Sequence, residues 1–168
     1  MTRAQLPALG YAYVALALPS VLLGLGHGGA VSALYTGAAF AYLWFIASLR
    51  AKVVRYDPDG LFASVVSMGG AAFIVLQAVA VLTADPQFAA PASAAAAAVI
   101  VGSSLAAMRA RKISKRFGQA GVAGGLAVLA VGLVEGAAGW TLAGDAGFAS
   151  SFGFMIWVVV TSTHLLRR

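Results

Sequence analysis

The feature that most constrains this chain of 168 residues is where its basic side chains stand. Each interval between them holds two apolar runs of about twenty residues, enough for two bilayer crossings. Basic residues accumulate on the cytoplasmic side of a bilayer, so this spacing predicts three transmembrane hairpins with the N and C termini in the cytoplasm. The basic residues form four groups: Arg3, then Arg50, Lys52 and Arg55, then Arg109, Arg111, Lys112, Lys115 and Arg116, and finally Arg167 and Arg168.

Composition places the chain in a membrane. Hydrophobic residues make up 61% of it and charged residues 10%, with a mean hydropathy of +0.92. Such a chain has too few polar groups to cover a surface that faces water. Only helices satisfy the backbone hydrogen bonds of a lipid-exposed segment of this length. The predicted fold class is therefore an all-α integral membrane protein, a bundle of six transmembrane helices.

The six predicted spans use most of the chain and leave only short connections, so we expect one transmembrane domain over residues 1–168. We expect a multi-pass protein of the plasma membrane, specifically a bacterial inner membrane. A glycine-rich turn around His27 joins the first two spans, and the turn at Asp57-Pro58 follows the second. The spans are approximately 6–26, 30–49, 61–83, 88–108, 118–140 and 148–166.

Charge and missing side chains narrow the function. The net charge of +6 would suggest nucleic acid for a soluble protein, but here the cations flank spans and face lipid headgroups, so we expect no nucleic-acid partner. There is no cysteine, which excludes disulfides and thiolate metal sites. No phosphate-binding loop, metal-binding helix or nucleophile motif is present. We therefore predict a non-enzymatic protein without a catalytic residue, cofactor or metal.

One face of the fifth span consists of glycine. At 100° per residue, six glycines fall within one narrow stripe. Small residues spaced by four allow two membrane helices to approach closely. The stripe predicts a packing surface, against another span of the same chain, a second copy, or a partner subunit. Its members are Gly118, Gly121, Gly125, Gly132, Gly136 and Gly139.

Glu135 is the one acidic residue predicted to lie well inside a span. An ionised carboxylate there is costly, so such a residue is a candidate functional site, or an acid that reaches the outer interface. On the helical wheel it lies beside the glycines and faces the bundle interior. Groups predicted at the same outer level are His27, Trp140 and Asp145. Together they form a candidate ligand or proton site.

Two resemblances cover the size and topology of the chain. The six-span layout with basic inner loops resembles small membrane proteins of high-GC bacteria. It is also similar to the substrate-binding subunits of energy-coupling-factor vitamin transporters, which use an Ala-x-x-x-Ala pattern on the first helix to dock their partner. Ala8 and Ala12 have that spacing. The second resemblance implies a transport subunit, but it carries no site residues over to this chain.

Two functions follow as alternatives. The first is a non-catalytic accessory or assembly subunit of a membrane complex, in contact with other membrane subunits or with a second copy. This function is favoured because the sequence has a strong helix-packing signal, the glycine stripe, and few reactive side chains. The second is a small-molecule or ion binding or transport protein with an outer-half site around Glu135. The sequence leaves the substrate, the partner and the oligomeric state open.

Overall fold

A computed structural model describes residues 5–22, 28–83, 86–138 and 149–164 of the protein. Within these ranges the chain forms six α-helices and one short 3₁₀ turn at Pro86–Phe88, which leads into the fourth helix. The helices are α1 (Gln5–Leu22), α2 (Gly28–Val54), α3 (Leu61–Thr83), α4 (Ala89–Arg109), α5 (Lys115–Ala138) and α6 (Ala149–His164).

The six helices confirm the all-α class. Four of them are long and apolar enough to cross a bilayer, which supports a membrane protein. They are the segments Ala33–Val54, Leu61–Ala80, Ala90–Arg109 and Lys115–Ala138. Ser151–His164 is a shorter apolar helix. The six-fold crossing and the cytoplasmic position of the termini stay predictions.

Helix ends differ from span ends on the basic side. α2 continues to Val54, five residues beyond the predicted span end at residue 49, and α5 begins at Lys115 rather than at residue 118. Hydropathy locates the segment that lies in hydrocarbon. The hydrogen bonds of a helix do not depend on where the hydrocarbon core ends. A helix therefore continues into the interface until a turn ends it.

Helices adjacent in sequence pack side by side. The most extensive contacts join α4 to α5, α3 to α4 and α1 to α2. α6 returns to pack against both α1 and α5, so it closes the bundle. A hydrogen bond of 2.8 Å between the hydroxyls of Tyr11 and Thr163 ties α1 to α6.

Aromatic rings from α1, α2, α3 and α6 fill the centre of the bundle. The ring centroids of Phe73 and Phe154 are 4.4 Å apart, and those of Tyr13 and Tyr42 are 5.1 Å apart. Phe154 and Tyr42 are fully buried. We call this set the aromatic core; its members are Tyr13, Tyr42, Phe45, Phe73, Phe154 and Trp157.

The basic segments lie together at one end of the bundle. Arg109, at the end of α4, is 3.4 Å from Asp59 in the turn between α2 and α3. Phe117, near the start of α5, has its ring 5.5 Å from that of His164, at the end of α6. The turn after α2, the turn after α4 and the last described turn of α6 therefore share one end, which we call the basic end.

Candidate functional site

The glycine stripe of α5 lies against α4 of the same chain. A Cβ atom added at Gly125 would lie 2.8 Å from Cγ2 of Val101, and one added at Gly136 would lie 3.0 Å from Cβ of Ala90. Gly132 is buried on the same face. The pairs formed across the two helices are Gly118 with Met108, Gly121 with Ser104, Gly125 with Val101, and Gly136 with Ala90.

These pairs define one antiparallel register. Each step forward along α5 matches an equal step back along α4, from the basic end to the other end of the bundle. Side chains at the glycine positions would separate the helices, so the missing Cβ atoms permit the close approach. Of the three packing partners open to the stripe, the structure shows a span of the same chain. Gly139 lies outside the described residues.

Glu135 is fully buried, with 0% of its surface exposed. It belongs to the buried face of α5 together with Gly125, Val128 and Gly132. Its neighbour Gly136 touches Ala90, so the carboxylate lies at the level of the first turn of α4. This is the end of the bundle opposite the basic end. The three residues predicted to accompany it, His27, Trp140 and Asp145, lie outside the described residues.

Several other polar side chains are buried toward the same end, two of them on α3 and α4. Gln77 of α3 is 6% exposed and Ser93 of α4 is 2% exposed. Gly69 contacts α4 at Ala95, and Gln77 is two turns further along α3, which brings it toward the start of α4. The hydroxyl of Ser93 has no hydrogen-bond partner among the described residues. Carboxylate, amide and hydroxyl groups are thus enclosed in the non-basic half of the bundle.

The described polar groups in this half of the bundle offer a carboxylate, an amide and a hydroxyl for binding. Within the described ranges, no three His, Cys, Asp or Glu side chains lie close enough to hold a metal ion. Gln77 is an amide within the third predicted span, a residue type that commonly donates hydrogen bonds between membrane helices. The burial of Ser93 was not anticipated; its only signal is a hydroxyl among the alanines in the first part of the span.

A second feature, which the sequence reasoning missed, is a cavity of about 480 Å³ between α4, α5 and α6. We call it the lateral groove. On α5 it is lined by small residues spaced by four and three, namely Ala120, Gly124 and Ala127. All three are exposed, so the groove is open at the periphery of the bundle. The signal in the sequence is this second line of small residues, next to the glycine stripe.

Comparison of the chain with protein-family models, with curated proteins and with solved structures gives no match. The fold and the two sites described above are therefore the basis for assigning a function.

Proposed function

We propose that the protein is a non-catalytic accessory or assembly subunit of a membrane complex, crossing the bilayer six times with its basic end in the cytoplasm. The observation that carries this proposal is the position of α5. Only 22% of its span is buried inside the chain, against 67% for α4. The glycine stripe packs α5 on α4 and leaves another face, roughly 100° around the helix from the stripe, directed outward. We call this the outer face of α5; its large residues are Leu126 and Leu133.

The aromatic core favours an assembly subunit over a protein that transports a solute through its bundle. Rings from four helices pack within 4.4–6.5 Å of one another at the bundle centre. Transport through a bundle needs polar groups near the midplane. A solute moving along the axis would have to displace Phe73 and Phe154 from each other. The described acids at the basic end, Asp57 and Asp59, are engaged in a helix cap and an ion pair.

Site-directed cross-linking in the native membrane tests the assembly proposal. The chain has no cysteine, so one introduced thiol is unique. Leu126→Cys and Leu133→Cys place it on the outer face of α5, where each leucine is more than half exposed. Met68→Cys and Val75→Cys are matched controls on exposed positions of α3. With benzophenone maleimide attached to this thiol, which on irradiation inserts into C–H bonds of whatever protein lies next to it, we expect a single adduct of defined mass from the α5 positions and none from α3.

The mass of the adduct identifies the partner. Twice the mass of the chain indicates a second copy, and any other mass indicates a different subunit. Adducts that form equally from α3 and α5, or from neither, would contradict an assembly role for α5.

The second candidate is a binding or transport function centred on Glu135. The observation that favours it is the complete burial of this carboxylate, with Gln77 and Ser93 enclosed in the same half of the bundle. Burying an acid inside a membrane protein is costly, and such acids commonly belong to ion or proton pathways. His27, Asp145 and Trp140 would contribute from the turns at this end.

Glu135→Gln tests that candidate because it keeps the shape of the side chain and removes its charge. Proteoliposomes that enclose a pH-sensitive dye would show proton uptake with the natural protein and none with Glu135→Gln. Ser93→Ala, at a buried position that never carries charge, is the control for general damage to this half of the bundle. Equal uptake by the natural protein and Glu135→Gln, at equal thermal stability, would remove the support for this function.

A further inference from the structure

The lateral groove exists because α5 is held on α4 but not closely on α6. At its deep end, Gly153 of α6 approaches α5, where an added Cβ would lie 2.9 Å from Cγ2 of Val128. At its other end, the rings of Phe117 and His164 meet. Between these two points, a Cβ added at Gly124 would have no neighbour within 4 Å. The groove is thus an unfilled space between two points of contact.

Its length matches one leaflet of a bilayer. Between its two points of contact the groove extends ~16 Å at the helical rise along each helix, from Phe117 to Val128 on α5 and from Gly153 to His164 on α6. Half of the hydrocarbon core of a bilayer is ~15 Å thick. The volume of about 480 Å³ is that of a site for a small molecule rather than a single water.

The lining is apolar except near the basic end. Side chains such as Ile100, Val128 and Val160 face the space. Ser103 also lines it, but its hydroxyl already donates to the carbonyls of its own helix, at 2.7 Å to Val99 and 3.1 Å to Ile100. A polar solute would find few free partners along this wall, whereas a hydrocarbon chain needs none.

The mouth of the groove adjoins the most basic segment of the protein. Ile113, in the turn between α4 and α5, lines the groove and also a neighbouring cavity of about 530 Å³. Arg111 and Lys115 line that neighbouring cavity. Within the described part of the chain, Arg109 is the member of the basic turn that has an ion pair, to Asp59. An apolar channel therefore ends beside cations that have no acidic partner there.

We propose that the lateral groove holds an acyl chain of an anionic phospholipid, with the lipid phosphate bound by Arg111 and Lys115. The occupant follows from charge complementarity, since a negative headgroup joined to a long apolar chain matches both parts of the site. The groove opens where lipid surrounds the bundle, so the ligand enters from the bilayer. That the lipid comes from the cytoplasmic leaflet rests on the orientation given in the proposed function. Lipid binding in the groove does not depend on that orientation.

Tryptophan quenching by brominated lipids tests this proposal, because Trp157 lines the groove. The chain has three tryptophans, so Trp44→Phe with Trp140→Phe leaves Trp157 as the only emitter. In vesicles with a small fraction of brominated lipid, we expect stronger quenching of Trp157 by phosphatidylglycerol than by phosphatidylcholine. A second protein with Trp140→Phe and Trp157→Phe retains Trp44, which is exposed on α2, and should be quenched alike by both lipids.

Two pairs of variants separate the headgroup site from the groove. Arg111→Gln with Lys115→Gln should reduce the preference for phosphatidylglycerol over phosphatidylcholine by roughly fivefold for each cation removed. Arg50→Gln with Arg55→Gln removes as many cations from the end of α2 and the turn after it, and should retain the preference for phosphatidylglycerol. Gly124→Leu adds a large side chain whose Cβ has no neighbour within 4 Å, so it occupies the groove and should abolish the preference for phosphatidylglycerol. Ala130→Leu adds a leucine at an exposed position of α5 outside the groove, and should have no effect.

Equal quenching of Trp157 by the two lipids would overturn the proposal. So would an equal loss of preference in Arg50→Gln with Arg55→Gln, or a preference unchanged by Gly124→Leu. These measurements use the purified protein alone. Their failure is therefore distinguishable from failure of the assembly function, which is tested by cross-linking on the opposite face of α5.

Discussion

A single carboxylate at the basic end shows how much one side chain can contribute to this fold. Asp57 is 1% exposed, and its Oδ2 accepts hydrogen bonds from the backbone N–H groups of Phe62 at 2.5 Å and Ala63 at 3.3 Å. These are the second and third residues of α3, whose N–H groups have no partner within the helix. A negative group at a helix N-terminus also interacts favourably with the helix dipole. Asp57 therefore fixes the start of α3.

We predict that Asp57→Ala lowers the free energy of unfolding by about 1–2 kcal/mol, since it removes both acceptor contacts. Asp59→Ala is the matched control two residues away. It loses only an ion pair whose side chains are 60% and 70% exposed, so solvent screening reduces its contribution to well under ~1 kcal/mol. Thermal unfolding in detergent, followed by circular dichroism, measures both. Equal midpoints for the two variants would show that the cap does not act as described.

The sequence identified the turn around Asp57 but could not choose between its two acids. Both stand in a segment of turn-forming residues, and the choice depends on which one the chain folds back over α3. Glu135 is a similar case. The helical wheel directs it to the interior, and the structure buries it completely, but its surroundings depend on the neighbouring helices. Side-chain identity limits the chemistry of a residue, whereas its partners come from tertiary packing.

At the scale of the helix, α5 has three distinct faces. The glycine stripe packs on α4, the small residues around Gly124 line the lateral groove, and Leu126 and Leu133 point outward. The periodicity of the sequence predicts the stripe because close approach requires glycine at regular intervals. The periodicity does not predict the groove. Small residues show where another helix could pack on α5, but they do not show which of these positions stays unoccupied.

The predicted span ends agree with the observed helix ends at some helices and differ at others. α3 runs from residue 61 to 83, as its span was predicted, because the Asp57 turn precedes it closely and the 3₁₀ turn at Pro86–Phe88 follows it. α2 extends beyond its predicted span because Arg50 and Lys52 are compatible with a helix that leaves the hydrocarbon. Hydropathy therefore defines the buried section, and turn chemistry defines the helix.

Two adjacent glycines of α5 should respond in opposite ways to substitution. Gly125→Ala places a Cβ 2.8 Å from Cγ2 of Val101, so either this side chain or the helices must shift, and we expect destabilisation of about 1–3 kcal/mol. Gly124→Ala adds the same atom in open space and should stabilise the protein by up to about 1 kcal/mol through helix propensity. Unfolding of each variant in mixed micelles gives the two values. A loss of stability at Gly124 equal to that at Gly125 would contradict the packing of α4 on α5.

For the whole molecule, the distribution of charge along the chain becomes a distribution in space. The contact between Asp59 and Arg109 brings two basic turns together, and the contact between Phe117 and His164 adds the end of α6. Groups more than a hundred residues apart in sequence thus share one end of the bundle. An even number of helices between them requires this arrangement, and the positive-inside preference predicts its direction in the membrane.

That direction can be tested with single thiols at the two ends of the bundle. Lys112→Cys lies in the basic turn, and Gln87→Cys lies between α3 and α4 at the opposite end; both natural side chains are exposed. In intact cells, an impermeant maleimide should label Gln87→Cys at once and Lys112→Cys only after permeabilisation, because the cations remain on the cytoplasmic side. Moving the thiol to Arg111→Cys should reproduce the behaviour of Lys112→Cys. Labelling of both ends from the same side would contradict the transmembrane bundle, and labelling of the basic end alone would reverse its orientation.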